Sequence, residues 1–243
     1  PNAIRVFDEL RAAGHEPKGI RLDSGDLAYL SKRARRMLDE AGYPDAIICA
    51  SGDLDEYLIA SLKNQGAKID LWGVGTKLIT SADMPALGGV YKLSALYPKE
   101  GGEVPKIKLS DNSDKITNPA FKDVYRIYDN ATGKAEADLI VVRGEKIDTG
   151  KPLTVFHPKD TWKRTTFTDY SVRQLTVPVI KGGKLVYELP PLSAVCEYAE
   201  REKETFWDEY KRLDNPHVYK VDLSQKLYDI KNKLISEIRA ENA

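Results

Sequence analysis

The sequence has little cysteine, and its two thiols are far apart. Cys49 falls in an apolar run and Cys196 in a helical pattern, within a chain of 243 residues. Neither a disulfide framework nor the close ligand spacing of a zinc site can be built from them. This scarcity excludes the small disulfide-stapled class and predicts a protein of the reducing cytoplasm.

An excess of charge of one sign is also missing, because 37 Lys and Arg residues balance 37 Asp and Glu residues. A balanced surface argues against a dominant face for nucleic acid or membrane. No apolar run is long enough to span a bilayer. With 42% hydrophobic residues the chain can bury a sizeable core. We therefore predict a globular protein that binds neither nucleic acid nor membrane.

The sequence does contain three short apolar runs, each ending in a glycine-bearing turn and each followed by a helical pattern. They occupy residues 19–27, 46–54 and 69–76, and the tetrad Ser-Gly-Asp-Leu occurs in the first two. This spacing fits one strand, one helix and two tight loops, which is the repeating unit of a parallel sheet or barrel. Helices are predicted at 26–40 and 53–64.

The three turns carry chemistry suited to a phosphorylated sugar. In parallel α/β folds such turns meet at the carboxyl edge of the sheet, where helix N-termini favour negative charge. Glycine lets a phosphate approach the backbone, whereas Asp23, Asp26 and Asp53 suit ribose hydroxyls, Mg²⁺ or its waters. Plain helix capping is the alternative, and it can explain any single turn. Three turns in consecutive units favour a shared ligand-binding edge.

The pattern changes after the third unit, and we place a domain boundary at residue 96. An α/β region at 1–96 is followed by an α+β region at 97–243 that ends in two helices. In this second part the sequence predicts strands at 90–96, 106–110, 124–128, 138–143 and 165–175, a hairpin within 177–187, and helices at 193–213 and from a cap at Asp222 or Ser224 onward. An apolar stripe along the last helix indicates packing against the same chain or a partner subunit.

Motifs along the whole chain match one known family. They are the segments 21–27 (Arg-Leu-Asp-Ser-Gly-Asp-Leu), 51–56 (Ser-Gly-Asp-Leu-Asp-Glu), 72–80 (Trp-Gly-Val-Gly-Thr-Lys-Leu-Ile-Thr), 85–93 (Pro-Ala-Leu-Gly-Gly-Val-Tyr-Lys-Leu) and the spaced polar series from Lys108 to Arg126. Together they closely resemble the nicotinate phosphoribosyltransferase family, and Asn215-Pro216-His217 resembles its bacterial branch.

The resemblance implies a fold and a quaternary structure. Residues 1–96 would form part of an irregular (β/α) barrel of the type II phosphoribosyltransferase kind, followed by a smaller α+β region. Three βα units are too few to close an eight-stranded barrel, and the chain begins at Pro1 without methionine. We therefore expect a missing N-terminal half. Members of the family are commonly dimers, so a homodimer is expected.

The resemblance also implies an activity in NAD biosynthesis. The family makes nicotinate mononucleotide and diphosphate from nicotinate and phosphoribosyl diphosphate, with ATP hydrolysis coupled to the reaction. Mg²⁺ would accompany the diphosphate and ATP, and no metal held by the protein is expected. The family's phosphorylated histidine lies upstream, and none of His15, His157 and His217 sits in its motif. The chain alone is therefore expected to be inactive.

The resemblance assigns roles to residues of the three turns. Asp23 would be the catalytic residue, accepting hydrogen bonds from the ribose 2′- and 3′-hydroxyls. Arg21 would lie against the pyridine ring and its carboxylate. The other substrate-binding residues would shape the ribose turn (Ser24 and Gly25), meet the ribose-phosphate region (Gly52 and Asp53) and hold the 5′-phosphate (Gly73, Gly75 and Thr76).

A basic series beyond the turns supplies candidate contacts to diphosphate or ATP. Its members are Lys92, Lys108, Lys115 and Lys122. Ordinary surface lysines explain the series equally well. The family often carries glycine after the Asn-Pro pair at 118–119, whereas this chain has Ala120, which weighs against a close phosphate contact at that loop.

Two alternatives stay open. A nicotinamide- or quinolinate-specific relative would share these turns, because the base pocket lies mostly in the missing half. The isolated chain could instead be a non-catalytic module that binds a sugar phosphate or another subunit. Activity of this chain alone, compared with its activity in a mixture with the upstream half, would separate a module from an enzyme fragment.

Overall fold

The computed structural model describes residues 1–112, 115–160 and 162–241. Packing divides the chain into two compact units, Pro1–Gly89 and Val90–Ala243, which we call the first and second units. The domain boundary placed at residue 96 from the sequence stays a prediction. Within the described ranges, no helix combines the length and apolar character that a bilayer crossing requires.

The first unit alternates helices with three parallel strands. Its elements are α1 (Asn2–Ala12), β1 (Gly19–Leu22), α2 (Leu27–Glu40), β2 (Ile47–Ser51), α3 (Glu56–Asn64), β3 (Leu71–Gly73) and α4 (Thr76–Ile79). The strands pair in the order β1-β2-β3, and both pairs are parallel. Helix α3 begins later than predicted because Asp55 caps it, with a carboxylate oxygen 2.8 Å from the Leu58 amide.

One face of this sheet is covered and the other is bare. Ile48 and Ala50 are fully buried, because they pack against side chains of α1, α2 and α3. Successive residues of a strand point to opposite faces. The register aligns Arg21, Cys49 and Leu71 on the other face, where Leu71 is 53% exposed. We call this surface the bare face.

The second unit is built on a six-stranded sheet. Its elements are β4 (Ala95–Leu96), β5 (Val104–Pro105), β6 (Lys122–Asp129), β7 (Ala135–Val142), β8 (Leu153–Phe156), β9 (Arg164–Phe167), β10 (Tyr170–Gln174), β11 (Ile180–Lys181), β12 (Lys184–Leu185), α5 (Leu192–Glu204), β13 (Lys220–Leu223) and α6 (Gln225–Glu241). The large sheet has the order β10-β6-β7-β13-β8-β9. β13 runs parallel to β7, and the other neighbours are antiparallel. The pairs β4–β5 and β11–β12 form small separate hairpins.

The six-stranded sheet curls so that its two edges approach each other. Its outer strands β9 and β10 are joined by only Thr168 and Asp169, although four strands lie between them in the sheet. Such a corner spans at most about 11 Å, whereas a flat sheet would separate these edges by about 24 Å. Ile127, Leu139 and Val155 fill the inside of the curl and are fully buried.

Helix α6 packs on the same sheet through its apolar stripe. Leu227 is fully buried, and the Tyr228 ring stacks on Phe156 with 4.4 Å between the ring centroids. Of the two predicted caps, the structure uses Ser224, whose hydroxyl oxygen accepts from the Leu227 amide at 3.3 Å. The stripe therefore packs at least in part against its own chain.

Of the strands predicted in the second unit, one is shorter than predicted and another does not form. Of residues 90–96, only Ala95–Leu96 is a strand, and it pairs with Val104–Pro105. Residues 106–110, all of them described, form no strand. A strand needs a neighbour for its backbone groups, and after the Lys106 amide, which donates to the Ser94 carbonyl at 2.8 Å, residues 107–110 have no strand beside them.

The helix predicted at 193–213 is also wrong in extent, because α5 ends at Glu204. The next residue turns toward the sheet, where the Thr205 carbonyl accepts a hydrogen bond from the Ala135 amide at 2.7 Å. The extended piece predicted at 165–175 is two strands, because the corner between β9 and β10 interrupts it.

Candidate functional site

The three glycine-bearing turns leave the first unit's sheet at one edge. Because β1, β2 and β3 are parallel neighbours, the residues that follow them lie side by side. A Cβ at Gly52 would stand 2.5 Å from the Asp23 carbonyl oxygen, and the φ of Gly52 is +98°. A Cβ at Gly73 would stand 3.4 Å from that of Ser51. Glycine is thus required where the first two turns meet.

Asp23, Arg21 and Ser51 form a hydrogen-bonded cluster at this edge. The Ser51 hydroxyl donates to Asp23 Oδ1 at 2.6 Å. Arg21 Nη1 lies 2.7 Å from the same oxygen and 2.6 Å from Ser51 Oγ. The Ser51 hydrogen bond, followed by the hydrogen bond and charge of Arg21, lowers the pKa of Asp23. Asp23 is therefore ionised at neutral pH, and its Oδ2 accepts no hydrogen bond from any described residue.

Ser51 is the residue of this cluster that the sequence-based prediction omits. The prediction names Ser24, from the first copy of the tetrad, whereas Ser51 is the last residue of β2. The signal that could have identified Ser51 is the two-residue period of a strand, which puts Ser51 on the same face as Cys49. The register aligns Cys49 with Arg21, so Arg21 lies on that face as well.

The other two aspartates of the first two turns, Asp26 and Asp53, differ in their contacts. Asp26 caps α2, because its Oδ1 accepts from the Tyr29 amide at 2.9 Å. Asp53 is exposed, with a φ of +45°, and its carboxylate has no hydrogen-bond or ion-pair partner within the described ranges. The capping alternative therefore accounts for Asp26 and leaves Asp53 as an open carboxylate.

An open cleft of about 530 Å³ lies beside the first two turns. Its lining includes five predicted site residues, which are Asp23, Ser24, Gly25, Gly52 and Asp53. The structure thus brings these five together around a space that a small ligand can enter. In the part of the chain that the structure describes, no group of three or more His, Cys, Asp or Glu side chains is arranged to hold a metal ion.

The third turn presents backbone with little bulk around it. Gly75 directly precedes α4, and no heavy atom lies within 4 Å of the place its Cβ would occupy. Thr76 begins the helix, and its carbonyl accepts from the Thr80 amide at 3.1 Å. The first amides of a helix have no acceptor within it. Both space and donors are therefore present for an anion.

The four lysines of the basic series all belong to the second unit. Lys92, Lys108 and Lys115 are exposed, and their ammonium groups form no ion pair with a described residue. Lys108 contacts its surroundings through its backbone amide, which donates to the Thr117 hydroxyl at 3.0 Å. A role in phosphate binding stays a prediction for these three.

Lys122 has a defined structural contact. Its ammonium donates to the carbonyls of Asn118 at 2.9 Å, Pro119 at 3.2 Å and Ala120 at 2.5 Å. Burial lowers the pKa of this lysine. A phosphate at Lys122 would have to displace the loop. Ala120 itself has a φ of +69°, a backbone conformation that favours glycine.

Three comparisons place the chain among known proteins. Residues 121–231 match the family model described as the nicotinate phosphoribosyltransferase C-terminal domain. The chain is 46% identical over 242 residues to nicotinate phosphoribosyltransferase of Bacillus subtilis, across 99% of this chain and 49% of the relative. The protein of the same name from Dictyostelium discoideum is 35% identical, across 96% of this chain and 41% of its own length.

A solved structure supports the fold. The crystal structure of human nicotinic acid phosphoribosyltransferase matches with a TM-score of 0.68 at 24% identity, covering 91% of this chain and 41% of the human chain. This chain therefore spans about half the length, or less, of the relatives it matches.

Proposed function

The chain belongs to the nicotinate phosphoribosyltransferase family and corresponds to the carboxyl-terminal half of its bacterial-type members, and we propose that it supplies the phosphoribosyl-binding edge of that enzyme. The reaction joins nicotinate to phosphoribosyl diphosphate and releases diphosphate. The observation that carries the proposal is Asp23, which lies at the edge where the glycine turns meet. Its ionised carboxylate accepts hydrogen bonds from both Ser51 and Arg21.

Asp23 suits the ribose. Ser51 and Arg21 occupy its Oδ1 and fix the carboxylate, while Oδ2 faces no described donor. Hydrogen bonds from two adjacent hydroxyls to an ionised carboxylate are strong. Arg21 is 59% exposed at its side chain, and its remaining guanidinium hydrogens suit a planar pyridine carboxylate. This pair would orient the sugar and the base for reaction.

The glycine turns suit the phosphate. Gly73, Gly75 and Thr76 offer backbone amides and a hydroxyl in an uncrowded turn. Bond breaking at the anomeric carbon builds positive charge on the sugar, so the acidic edge would stabilise that charge while the phosphate is held in place. Mg²⁺ would neutralise the leaving diphosphate. Asp53, the open carboxylate, is the residue here that fits the water shell of such an ion.

The bare face supports a barrel. Side chains aligned across parallel strands on a face without helices are typical of a barrel interior. An N-terminal half would provide the remaining strands, the base pocket and the histidine that links ATP hydrolysis to turnover. The whole enzyme would be a cytoplasmic homodimer that feeds NAD synthesis, and this chain alone would be inactive.

The same bare face favours a second candidate for the isolated chain. Without a cover over Leu71 and its neighbours, the chain would act as a sugar-phosphate-binding or subunit-binding module. Mixing it with the upstream half separates the two: restored turnover supports the enzyme fragment, and binding without turnover supports the module. A nicotinamide- or quinolinate-specific relative is distinguished by offering the three bases to the mixture.

Substitution of Asp23 tests the ribose role in the intact enzyme. Asp23→Ala is expected to lower kcat/KM for phosphoribosyl diphosphate by about 100-fold or more, the scale of losing an oriented charged contact in the transition state. Asp45→Ala, another exposed aspartate of the same unit, is the matched control and should leave kcat/KM unchanged. Near-normal kinetics of Asp23→Ala would reject the proposal.

Substitution of Gly75 tests the phosphate role. Gly75→Trp should weaken the binding of phosphoribosyl diphosphate while the protein stays folded, because no heavy atom lies within 4 Å of the place where its Cβ would stand. Gly88→Trp adds the same bulk at another open position of the first unit. Isothermal titration of both variants decides the matter, and equal affinities would remove the phosphate assignment.

A further inference from the structure

One lysine of the last helix is almost completely buried. Lys231 of α6 is 7% exposed, although lysine is rarely buried to this extent. Its ammonium donates to Asn118 Oδ1 at 2.8 Å and to the Pro158 carbonyl at 2.8 Å. The last helix is thereby joined to two loops that are far from it in sequence.

The charge of Lys231 is not balanced by an acid. Burial lowers the pKa of its ammonium, and no carboxylate of a described residue forms an ion pair with it. Moving an ammonium out of water costs free energy, which two neutral acceptors offset only in part. A lysine at this place therefore points to a requirement on the position of the loop that it holds.

Residues 118–120, which we call the held loop, are fixed by a second lysine as well. The carbonyls of all three residues accept from the Lys122 ammonium. Lys231 holds the side chain of Asn118 and Lys122 holds its backbone, so two lysines from different elements fix this residue. The other two residues of the loop are fully buried. The held loop therefore has a defined position in the second unit.

The held loop is joined to the segments that carry Lys108 and Lys115. Thr117 directly precedes it, and the Thr117 hydroxyl accepts from the Lys108 amide at 3.0 Å. The Thr117 amide in turn donates to the Lys108 carbonyl at 3.4 Å. Lys115 lies only three residues before Asn118. A shift of the held loop would therefore move the backbone of both lysines.

The segment of Lys92 is joined to the same loop. The Ser94 carbonyl accepts from the Ala120 amide and from the Lys106 amide, each at 2.8 Å. Lys92 lies two residues before Ser94, and Lys108 lies two residues after Lys106. Three segments with exposed lysines thus meet at the held loop. Cations without an ion-pair partner on adjoining segments attract an anion.

We propose that Lys231 is a positioning residue, which acts through Asn118 to hold the exposed lysines of the basic series in place for a diphosphate group. This role rests on the proposed function, in which phosphoribosyl diphosphate and ATP both carry such a group. Lys108 and Lys115 contact the phosphates. Lys231 does not, because its ammonium is directed to Asn118 and Pro158.

Steady-state kinetics of the intact enzyme tests this role. Lys231→Met removes the ammonium and keeps an unbranched side chain. KM for phosphoribosyl diphosphate or for ATP should rise about 5- to 10-fold while kcat changes less than about 2-fold, because binding and not chemistry is affected. KM for nicotinate, which has no phosphate, should stay unchanged. The substrate whose KM rises identifies the diphosphate group that is bound. Lys226→Met, at an exposed position of the same helix, is the matched control.

A double substitution separates positioning from a loss of stability. Asn118→Ala removes the acceptor and should raise the same KM, and adding Lys231→Met should raise it no further, since both act through one contact. Lys108→Ala should raise that KM without changing hydrogen exchange of the Ala120 amide, whereas Lys231→Met should make that exchange faster.

An unchanged KM in both Lys231→Met and Asn118→Ala overturns the positioning role, as does an equal rise in KM for nicotinate. If Lys231→Met fails to fold, Asn118→Ala decides, because Asn118 is only partly buried. Calorimetric titration of the chain with inorganic diphosphate gives the same comparison without turnover. Asp23→Ala reports on the proposed function separately: near-normal kinetics there, beside a raised KM in Lys231→Met, would reject the ribose edge and leave the positioning role standing.

Discussion

The two units of this chain complete their sheets in different ways. The first unit covers one face of three parallel strands with helices and leaves Leu71 half exposed on the other. The second unit curls six strands until the edges approach, and Leu139 and its neighbours are fully buried inside. The first unit therefore buries one face of its sheet within the described residues, while the second buries the whole inside of its curl.

The largest expected effect contrasts the two faces. Leu139→Ala in the second unit should lower the free energy of unfolding by about 3 kcal/mol, because it empties a fully buried site. Leu71→Ala on the bare face should cost less than about 1 kcal/mol, as for a largely exposed side chain. Urea unfolding, with hydrogen exchange of the amides in each unit as the readout, measures the free-energy cost of both substitutions. Equal costs would mean that the bare face is already packed.

A smaller effect is expected where the turn that follows β2 packs against the turn that follows β1 at the ligand edge. Gly52→Ala should lower the free energy of unfolding by about 2 kcal/mol, because its Cβ would meet the Asp23 carbonyl and its φ is left-handed. Gly88→Ala, with no atom nearby, is the control and should cost little. Thermal unfolding of the two variants is compared. An unchanged melting temperature for Gly52→Ala would show that the turns after β1 and β2 are not closely packed.

In the second unit we expect one substitution to raise the free energy of unfolding, in the loop whose carbonyls accept hydrogen bonds from Lys122. Ala120 is in the left-handed region, so Ala120→Gly should raise the free energy of unfolding by about 0.5 kcal/mol. Ala137→Gly, equally buried but in a regular strand, should lower it by about 1 kcal/mol. Denaturant titration gives both values, and the same sign for the two would contradict this account.

The smallest effect is local and concerns one aspartate in each unit. Ser51 and Arg21 lower the pKa of Asp23 below 3.8, whereas burial raises that of Asp222 above 3.8. The contribution of Asp23 to stability is therefore present above pH 3.8 and is lost as pH falls through its lowered pKa. That of Asp222 is present below pH 3.8 and is lost as pH rises through its raised pKa.

Carboxyl NMR titration measures both groups in one experiment. Asp23 should titrate at a lower pH than Asp222. Ser51→Ala should raise the titration midpoint of Asp23 toward the ordinary value of an aspartate and leave the midpoint of Asp222 unchanged. Ser24→Ala is the control, because the hydroxyl of Ser24 makes no hydrogen bond to Asp23. The reverse order of the two midpoints would contradict the described cluster and the burial of Asp222.

Local patterns were sufficient to predict the first unit. Apolar runs, glycine turns and helix periodicity gave the βα order, and the register of a parallel sheet then places Asp23 and Gly52 together. Local patterns give the face on which Ser51 lies but not the residues that face it from the next strand, so Ser51 was missed. Its contact with Asp23 depends on which strand lies beside which.

The second unit was less predictable because its contacts are between distant segments. Nothing near residues 220–223 indicates that they form a strand between β7 and β8. The charge of Lys122 suggested a phosphate contact, yet the lysine points to three carbonyls of its own loop. A long amphipathic side chain can serve either purpose, and sequence alone does not distinguish them.

The central position of β13 has a consequence for how the protein is made. This strand is the last of the sheet to leave the ribosome, yet it joins β7 to β8. Until it emerges, the nascent second unit exposes unpaired strand edges on both sides of the gap, and such edges invite aggregation. Residues 220–223 therefore complete the sheet last, because only their arrival pairs the edges of β7 and β8.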